Sequence, residues 1–267
     1  MIDATTKLNA VIGYPLTHTL SPRLHSHSYA IHGINAVMLA FAHSDVRLLV
    51  EAIRTLPIHL TAVTIPHKEA IIEYCDELDP SAKNIGSVNT IINDGKILRG
   101  YNTDVHGVRM ALRDVSLVGK KVLVLGAGGA ARAVASVVAD SKGVLFYHSR
   151  TAERANGLQE RFGGEVATRD AVYTGTFDVI INTTPLGMHP HTDETPLPEF
   201  PFDAHHVVVD CIYNPSQTQL LRDAAGAGAR TISGITMFIA QGIEQIRLWS
   251  GVTVPPDEWE ALVMKKI

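Results

Sequence analysis

Short runs of β-branched and aliphatic residues alternate along this chain with longer stretches whose apolar positions recur at helical spacing. Segments 10–14, 37–42, 60–65, 88–92, 121–125, 144–148, 178–182, 207–211 and 230–232 read as strands. Most are near-continuously apolar instead of alternating, which is the pattern of parallel strands covered on both faces. Segments 45–56, 130–139 and 217–225 carry the apolar spacing of helices. Strand–helix alternation predicts βαβ units and an α/β fold. A seam falls near 117–120, followed by a clean strand, glycine turn and helix, so two lobes are expected.

Composition narrows the class. With 267 residues, 46% of them hydrophobic and 19% charged, the chain has the makings of a compact core and not of a disordered segment. Lys plus Arg number 23 against 27 for Asp plus Glu, a net charge of −4, so no general pull toward nucleic acid or an anionic membrane is expected. Cys75 and Cys211 stand alone, without CxxC spacing, and predict neither a disulfide framework nor a structural zinc site. No leader-like basic and apolar segment opens the chain, and no apolar run nears the ~18 residues of a membrane helix. A soluble, cytoplasmic protein is expected.

Candidate chemistry starts at Gly126, Ala127, Gly128, Gly129, Ala130 and Ala131, a GxGxxA turn between a strand and a helix. Glycines there allow a tight turn and close approach of backbone N–H groups to a pyrophosphate, with the helix N-terminus adding positive potential. About 20 residues on, where an NAD site places a carboxylate, stand Ser149, Arg150 and Thr151, followed by Arg154. Two guanidinium groups without a carboxylate favour a 2′-phosphate, hence NADP. The close histidine pairs His25/His27, His189/His191 and His205/His206 lack partners at metal-ligand spacing and read as polar surface residues, so no metal is predicted. No tyrosine is followed by lysine at the fourth position, so the proton shuttle is sought in the first lobe. There Ser21, Thr64, Lys68, Asn89 and Asp104 lie at the ends of strand candidates, and an amino group such as Lys68 can donate a proton to a carbonyl oxygen receiving a hydride.

Nine ordered segments, SPRLH, VTIPHK, GSVNT, GYNTD, GAGGAARA, SRTAER, INTTPLGM, DCIYNP and GITMFIAQG, give the chain a resemblance to the shikimate dehydrogenase family over nearly its whole length. The resemblance implies an α/β substrate domain over 1–105, an NADP-binding Rossmann domain over 106–235, and helices over 236–267 that return to the first domain. It implies reduction of 3-dehydroshikimate to shikimate in aromatic amino acid biosynthesis. Lys68 is then the general acid/base and Asp104 its catalytic partner. Thr19, Ser21, Thr64, Asn89 and Gln241 contact the cyclic hydroxy acid, with Tyr213 nearby. The glycine turn, Ser149, Arg150, Thr151, Arg154, Thr183 and Gly234 line the NADP site. The family permits a monomer or a homodimer.

Some positions depart from the family pattern. Ala62 stands where Asn usually precedes VTxP, His67 replaces an aromatic beside the lysine, Thr19 replaces Ser, and Val105 and His106 follow Asp104 where Gly is common. A pocket that loses a hydrogen-bonding side chain discriminates less between ring acids. A quinate or aminoshikimate dehydrogenase is therefore the same-class alternative. A catalytically idle NADP-binding regulator is the alternative of a different class, and it predicts loss of a proton-handling pair that this chain retains.

Overall fold

The computed structural model describes residues 2–17 and 19–265. The chain divides into two compact units. Of the described residues, one unit holds those up to Asp104 together with 239–265, and the other runs from Val105 to Phe238.

In the first unit β1 (Lys7–Gly13), α1 (Ser21–Ile31), β2 (Ala36–Ala42), α2 (Val46–Thr55) and β3 (Leu60–Val63) build a βαβαβ segment in which β1 pairs in parallel with both β2 and β3. Helix α2 shows why such segments form: Asp45 caps its N-terminus by accepting the Arg47 N–H, and Leu49, Val50 and Ile53 bury one face. A short 3₁₀ turn (Ala70–Tyr74), β4 (Glu77–Leu78), α3 (Pro80–Ile85), β5 (Thr90–Asn93) and β6 (Leu98–Tyr101) follow. The sheet order is β2-β1-β3-β5-β6-β4.

The parallel pairing expected of most of the apolar runs fails at β5, which pairs antiparallel with both β3 and β6. For the β5–β6 pair the reason is the connection. Asp94 Oδ1 accepts the N–H groups of Lys96 and Ile97, and Gly95 takes φ +90°, so the chain reverses at once. A parallel neighbour needs a crossover of a dozen residues or so, and there is no room for one. The strand also begins at Thr90, two residues later than the apolar run, and β3 stops at Val63, ahead of Pro66.

The second unit is the doubly wound pattern that strand–helix alternation predicts. After α4 (Asp104–Ala111) come β7 (Lys121–Leu125), α5 (Gly129–Asp140), β8 (Val144–His148), α6 (Ala152–Phe162), β9 (Glu165–Val166), α7 (Arg169–Thr174), β10 (Val179–Asn182), β11 (Val207–Asp210), α8 (Gln219–Gly226) and β12 (Arg230–Ile232). Every pair in its sheet, ordered β12-β11-β10-β7-β8-β9, is parallel. The chain walks outward from β7 in one direction and from β10 in the other. The turns after these two adjacent strands therefore sit at the switch point where α/β sheets bind ligands.

Helices α9 (Ile235–Ser250) and α10 (Pro256–Val263) close the chain. Trp259 of α10 is fully buried in the first unit, where its Nε1 donates to Ser28 Oγ at 2.7 Å. Ser28 also donates to Glu258, which pairs with His32 at 2.9 Å. Gly242 of α9 lets the indole lie against the helix backbone, since a Cβ there would overlap the Trp259 ring. Gly242→Ala is expected to destabilise the protein by about 1–3 kcal/mol through this overlap. An unchanged Tm in a thermal melt would show that the indole has room to spare.

Candidate active site

Three short segments converge in the first unit. The turn after β3 carries Lys68, the residue before β5 is Asn89, and the residues after β6 are Asn102, Thr103 and Asp104. Backbone bonds hold them together: Val88 N–H donates to the Lys68 carbonyl at 2.8 Å, Val63 N–H to that of Asn89 at 2.7 Å, and Asn89 N–H to that of Tyr101 at 3.1 Å. On this frame Lys68 Nζ lies 2.5 Å from Asp104 Oδ2, with side-chain exposures of 16% and 5%. Asn89 Nδ2 donates to Asp104 Oδ1 at 2.8 Å, to Thr103 Oγ1 at 2.9 Å and to Gln241 Oε1 at 3.4 Å. Four residues singled out from the sequence (Lys68, Asn89, Asp104 and Gln241) thus form one hydrogen-bonded cluster.

The other substrate candidates are placed separately. Ser21 opens α1 and is buried, its N–H donating to Thr19 Oγ1 at 3.4 Å. Thr64 is half-buried at the end of β3, where its carbonyl accepts the His67 N–H. Tyr213 belongs to the second unit and stacks on Phe238 with ring centroids 4.0 Å apart. His67 is buried, a ring nitrogen 2.7 Å from the His43 carbonyl. Ala62 is buried within β3.

The histidine pairs correct one expectation. His25 is fully buried and His206 nearly so, whereas His189, His191 and His205 are exposed. His25 was legible as a core residue from its place on the inner stripe of α1 with Ser21, Leu24, Ser28 and Tyr29. Sequence reading also misses Gln245, one helical turn after Gln241 on α9, and the hydroxyls of Thr90 and Thr103. Gln245 Nε2 donates to Thr90 Oγ1 at 3.0 Å, and Thr90 Oγ1 to Asn89 Oδ1 at 2.8 Å. The spacing of the two glutamines was the available signal.

In the second unit the glycine turn has the geometry a pyrophosphate needs. Gly126 takes φ +101°, and a Cβ there would lie 2.6 Å from Thr183 Oγ1. Thr183 in turn donates to the Leu125 carbonyl at 2.6 Å. Around Gly128 there is open space, and α5 starts at Gly129 with no side chain capping its first N–H groups, while Ala131 is buried against the sheet. Ser149 Oγ accepts the Thr151 N–H at 3.3 Å, and Arg150, Thr151 and Arg154 are exposed around the start of α6. Gly234 is buried with its N–H on the Ile212 carbonyl, too close to Cys211 for any side chain. Among the described residues no cluster of His, Cys, Asp or Glu could hold a metal ion, and no helix is long and apolar enough to cross a membrane.

A buried carboxyl ties the turns after β10 and β11 together. Asp210 Oδ1 accepts from Asn182 Nδ2 at 3.1 Å and from the Ile212 N–H at 3.0 Å, and Oδ2 accepts from Thr218 Oγ1 at 2.7 Å. Burial nevertheless pushes this carboxyl from its ordinary 3.8 up to about 6. Burial pushes the His25 imidazole the other way, from 6.5 to about 4. The two have opposite effects on stability. Between pH 6.5 and 4 the unfolded chain binds a proton at His25 that the folded chain refuses, so stability falls with pH. Between pH 6 and 3.8 the folded chain holds the proton at Asp210, which adds stability as pH falls. Asp210→Asn removes the compensating group, so its urea-unfolding free energy should drop more steeply with acid than that of the wild type. Parallel slopes would mean that Asp210 titrates alike in the folded and unfolded chains.

Comparison with known proteins identifies the family. The family model for the shikimate dehydrogenase substrate binding domain matches residues 11–91, and that for the shikimate 5′-dehydrogenase C-terminal domain matches residues 234–264. A shikimate dehydrogenase (NADP(+)) of Moorella thermoacetica is 40% identical over 269 residues, spanning 95% of this chain and 91% of that protein. A shikimate dehydrogenase crystallised in complex with NADP+ superposes with a TM-score of 0.92 at 37% identity, covering 100% of this chain and 98% of that one. The shikimate 5-dehydrogenase of Thermus thermophilus, solved with NADP(H) and shikimate, gives 0.88 at 31% identity over 98% of this chain and 100% of that one. The chain belongs to the shikimate dehydrogenase family.

Proposed function

We propose that this chain is an NADP-dependent oxidoreductase that interconverts 3-dehydroshikimate and shikimate by hydride transfer. The observation that carries the reading is the pair of half-buried Lys68 and buried Asp104, 2.5 Å apart and braced by Asn89. The same reading carries the cytoplasmic location and the place in aromatic amino acid biosynthesis.

NADPH, when bound, supplies the hydride that turns the ring ketone into an alcohol. Lys68 holds the proton that the developing alkoxide needs, and in the oxidative direction it takes that proton from the hydroxyl. Asp104 accepts a hydrogen bond from Lys68 and fixes where its amino group points, so the proton is already placed when charge builds on the oxygen. Asn89 and Gln241, with Thr19, Ser21, Thr64 and Tyr213, are the groups we assign to the substrate's carboxylate and hydroxyls. For the cofactor, the Gly126 cradle and the uncapped start of α5 fit a pyrophosphate at Gly126, Ala127, Gly128, Gly129, Ala130 and Ala131. Ser149, Arg150, Thr151 and Arg154 would hold the 2′-phosphate, and Thr183 and Gly234 complete the set.

Purified protein with NADP+ should form NADPH on shikimate. A panel that adds quinate and aminoshikimate addresses the ring-acid alternative raised by Ala62, and no turnover on any of them would defeat the dehydrogenase reading. Lys68→Ala is expected to lower kcat by roughly 10²–10⁴-fold, the range of a lost general acid/base. A variant as fast as the wild type removes Lys68 from that role. Arg150→Ala should raise KM for NADP while leaving KM for NAD nearly unchanged, and an equal loss for both cofactors would refute the 2′-phosphate contact.

A further inference from the structure

The reaction scheme leaves the buried His25 ring of the first unit unused. His25 is fully buried on α1, its ring edge-on to Trp259 with centroids 4.9 Å apart. Both of its nitrogens face oxygen: Nδ1 lies 2.9 Å from the Ser21 carbonyl and Nε2 lies 3.2 Å from Gln245 Oε1. Gln245 cannot reverse its amide to relieve this. Its Nε2 donates to Thr90 Oγ1 at 3.0 Å and to the Asn89 carbonyl at 3.3 Å, and the carbonyl has no proton to offer in exchange. Burial keeps the imidazole neutral at ordinary pH, so one N–H serves two acceptors.

The two acceptors are unequal. The Ser21 carbonyl lies four residues before His25 in α1 and already takes the helical N–H. Among the described residues, Gln245 Oε1 meets no donor other than His25 Nε2. A buried amide oxygen without a donor is the costlier of the two vacancies.

We infer that His25 carries its proton on Nε2 and acts as a positioning residue for Asp104, at the head of a one-way hydrogen-bond chain. From the ring, the donors run in sequence: His25 Nε2 to Gln245 Oε1, Gln245 Nε2 to Thr90 Oγ1, Thr90 Oγ1 to Asn89 Oδ1, and Asn89 Nδ2 to Asp104 Oδ1. The Asn89 carbonyl holds the Gln245 amide and the Thr103 N–H holds the Asn89 amide, so every donor of the chain points the same way. Asn89 must present its NH₂ to the carboxylate, because turned around it would aim an oxygen at an oxygen. Polarisation along such a chain strengthens its last bond, the one to Asp104. Without the first donor the Gln245 oxygen stays buried with no partner, and the bond that braces Asp104 loses the polarisation the chain gives it.

This inference rests on the assignment of Lys68 and Asp104 as the acid–base pair, and its tests separate the two. Long-range ¹H–¹⁵N correlation spectra of histidine-labelled wild type, with the ring assigned through its contact to Trp259, should show the Nε2–H tautomer at His25. An Nδ1–H pattern overturns the proposal, whether or not any variant folds. In kinetics, His25→Gln keeps an N–H near the Nε2 place, whereas His25→Asn keeps one near Nδ1. For shikimate oxidation the Asn variant should lose about tenfold in kcat, the effect of roughly one neutral hydrogen bond, with KM for NADP unchanged. The Gln variant should recover most of that rate. Equal rates for the two variants, or a change in KM for NADP alone, would also overturn the proposal. A wild type inactive on shikimate, or an active Lys68→Ala, would instead defeat the acid–base assignment and leave the tautomer to be read by itself.

Discussion

The carboxamide of Asn89 has only one orientation open to it, and the first unit's site depends on that constraint. Its oxygen accepts the Thr103 N–H at 2.7 Å and the Thr90 hydroxyl at 2.8 Å, so its nitrogen has to face Asp104. Asp104 is buried, and a buried carboxylate survives only if donors replace the water it has lost. Asn89 supplies one and Lys68 the other. Remove the amide and Lys68 has a partner whose position nothing else in the cluster determines.

The fold delivers this arrangement with backbone more than with side chains. The tight reversal at Asp94 and Gly95 sets Thr90 opposite Tyr101, so that Asn89 and the residues after β6 leave their strands side by side. Asn102 Nδ2 reaches back to the Ser87 carbonyl at 2.8 Å, and Val88 N–H binds the Lys68 carbonyl at 2.8 Å. The sequence spreads Lys68, Asn89 and Asp104 over 37 positions, yet the connections between them are single hydrogen bonds across neighbouring strand ends. Precision of this kind matters because proton transfer is sensitive to small errors in placement.

Much of this was legible beforehand, for identifiable reasons. The parallel sheet of the second unit has strands buried on both faces, so its apolar runs stand out: the run at 121–125 is β7 with the same bounds, and the run at 144–148 is β8. Gly126 was legible because a positive φ and a close neighbour leave no room for a side chain. The first unit was harder to read. Its antiparallel hairpin was misjudged because β5 is as apolar as a parallel strand, and the informative signal was the turn dipeptide Asp94-Gly95. The two-residue strands β4 and β9 are too short to have a period at all. The inner stripe of α1 and the four-residue spacing of Gln241 and Gln245 mark His25 and Gln245 as inward-facing, but their hydrogen-bond partners lie more than 150 positions away, which no local pattern records.

The two sets of candidate site residues meet water in different ways, and the tasks proposed for them account for the difference. Arg150 and Arg154 are exposed, where salt screens a charge and the long side chains lose entropy only when an anion arrives. Such groups select a ligand by its charge without needing a fixed position in advance. Lys68 and Asp104 are held by hydrogen bonds and largely shielded from solvent, where position is fixed before any ligand binds and interactions are stronger for the same distance. Recognition of a phosphate tolerates the first arrangement, whereas transfer of a proton requires the second. A net charge of −4 over the whole chain is silent on both, because each depends on a few groups whose burial, and not whose number, decides what they do.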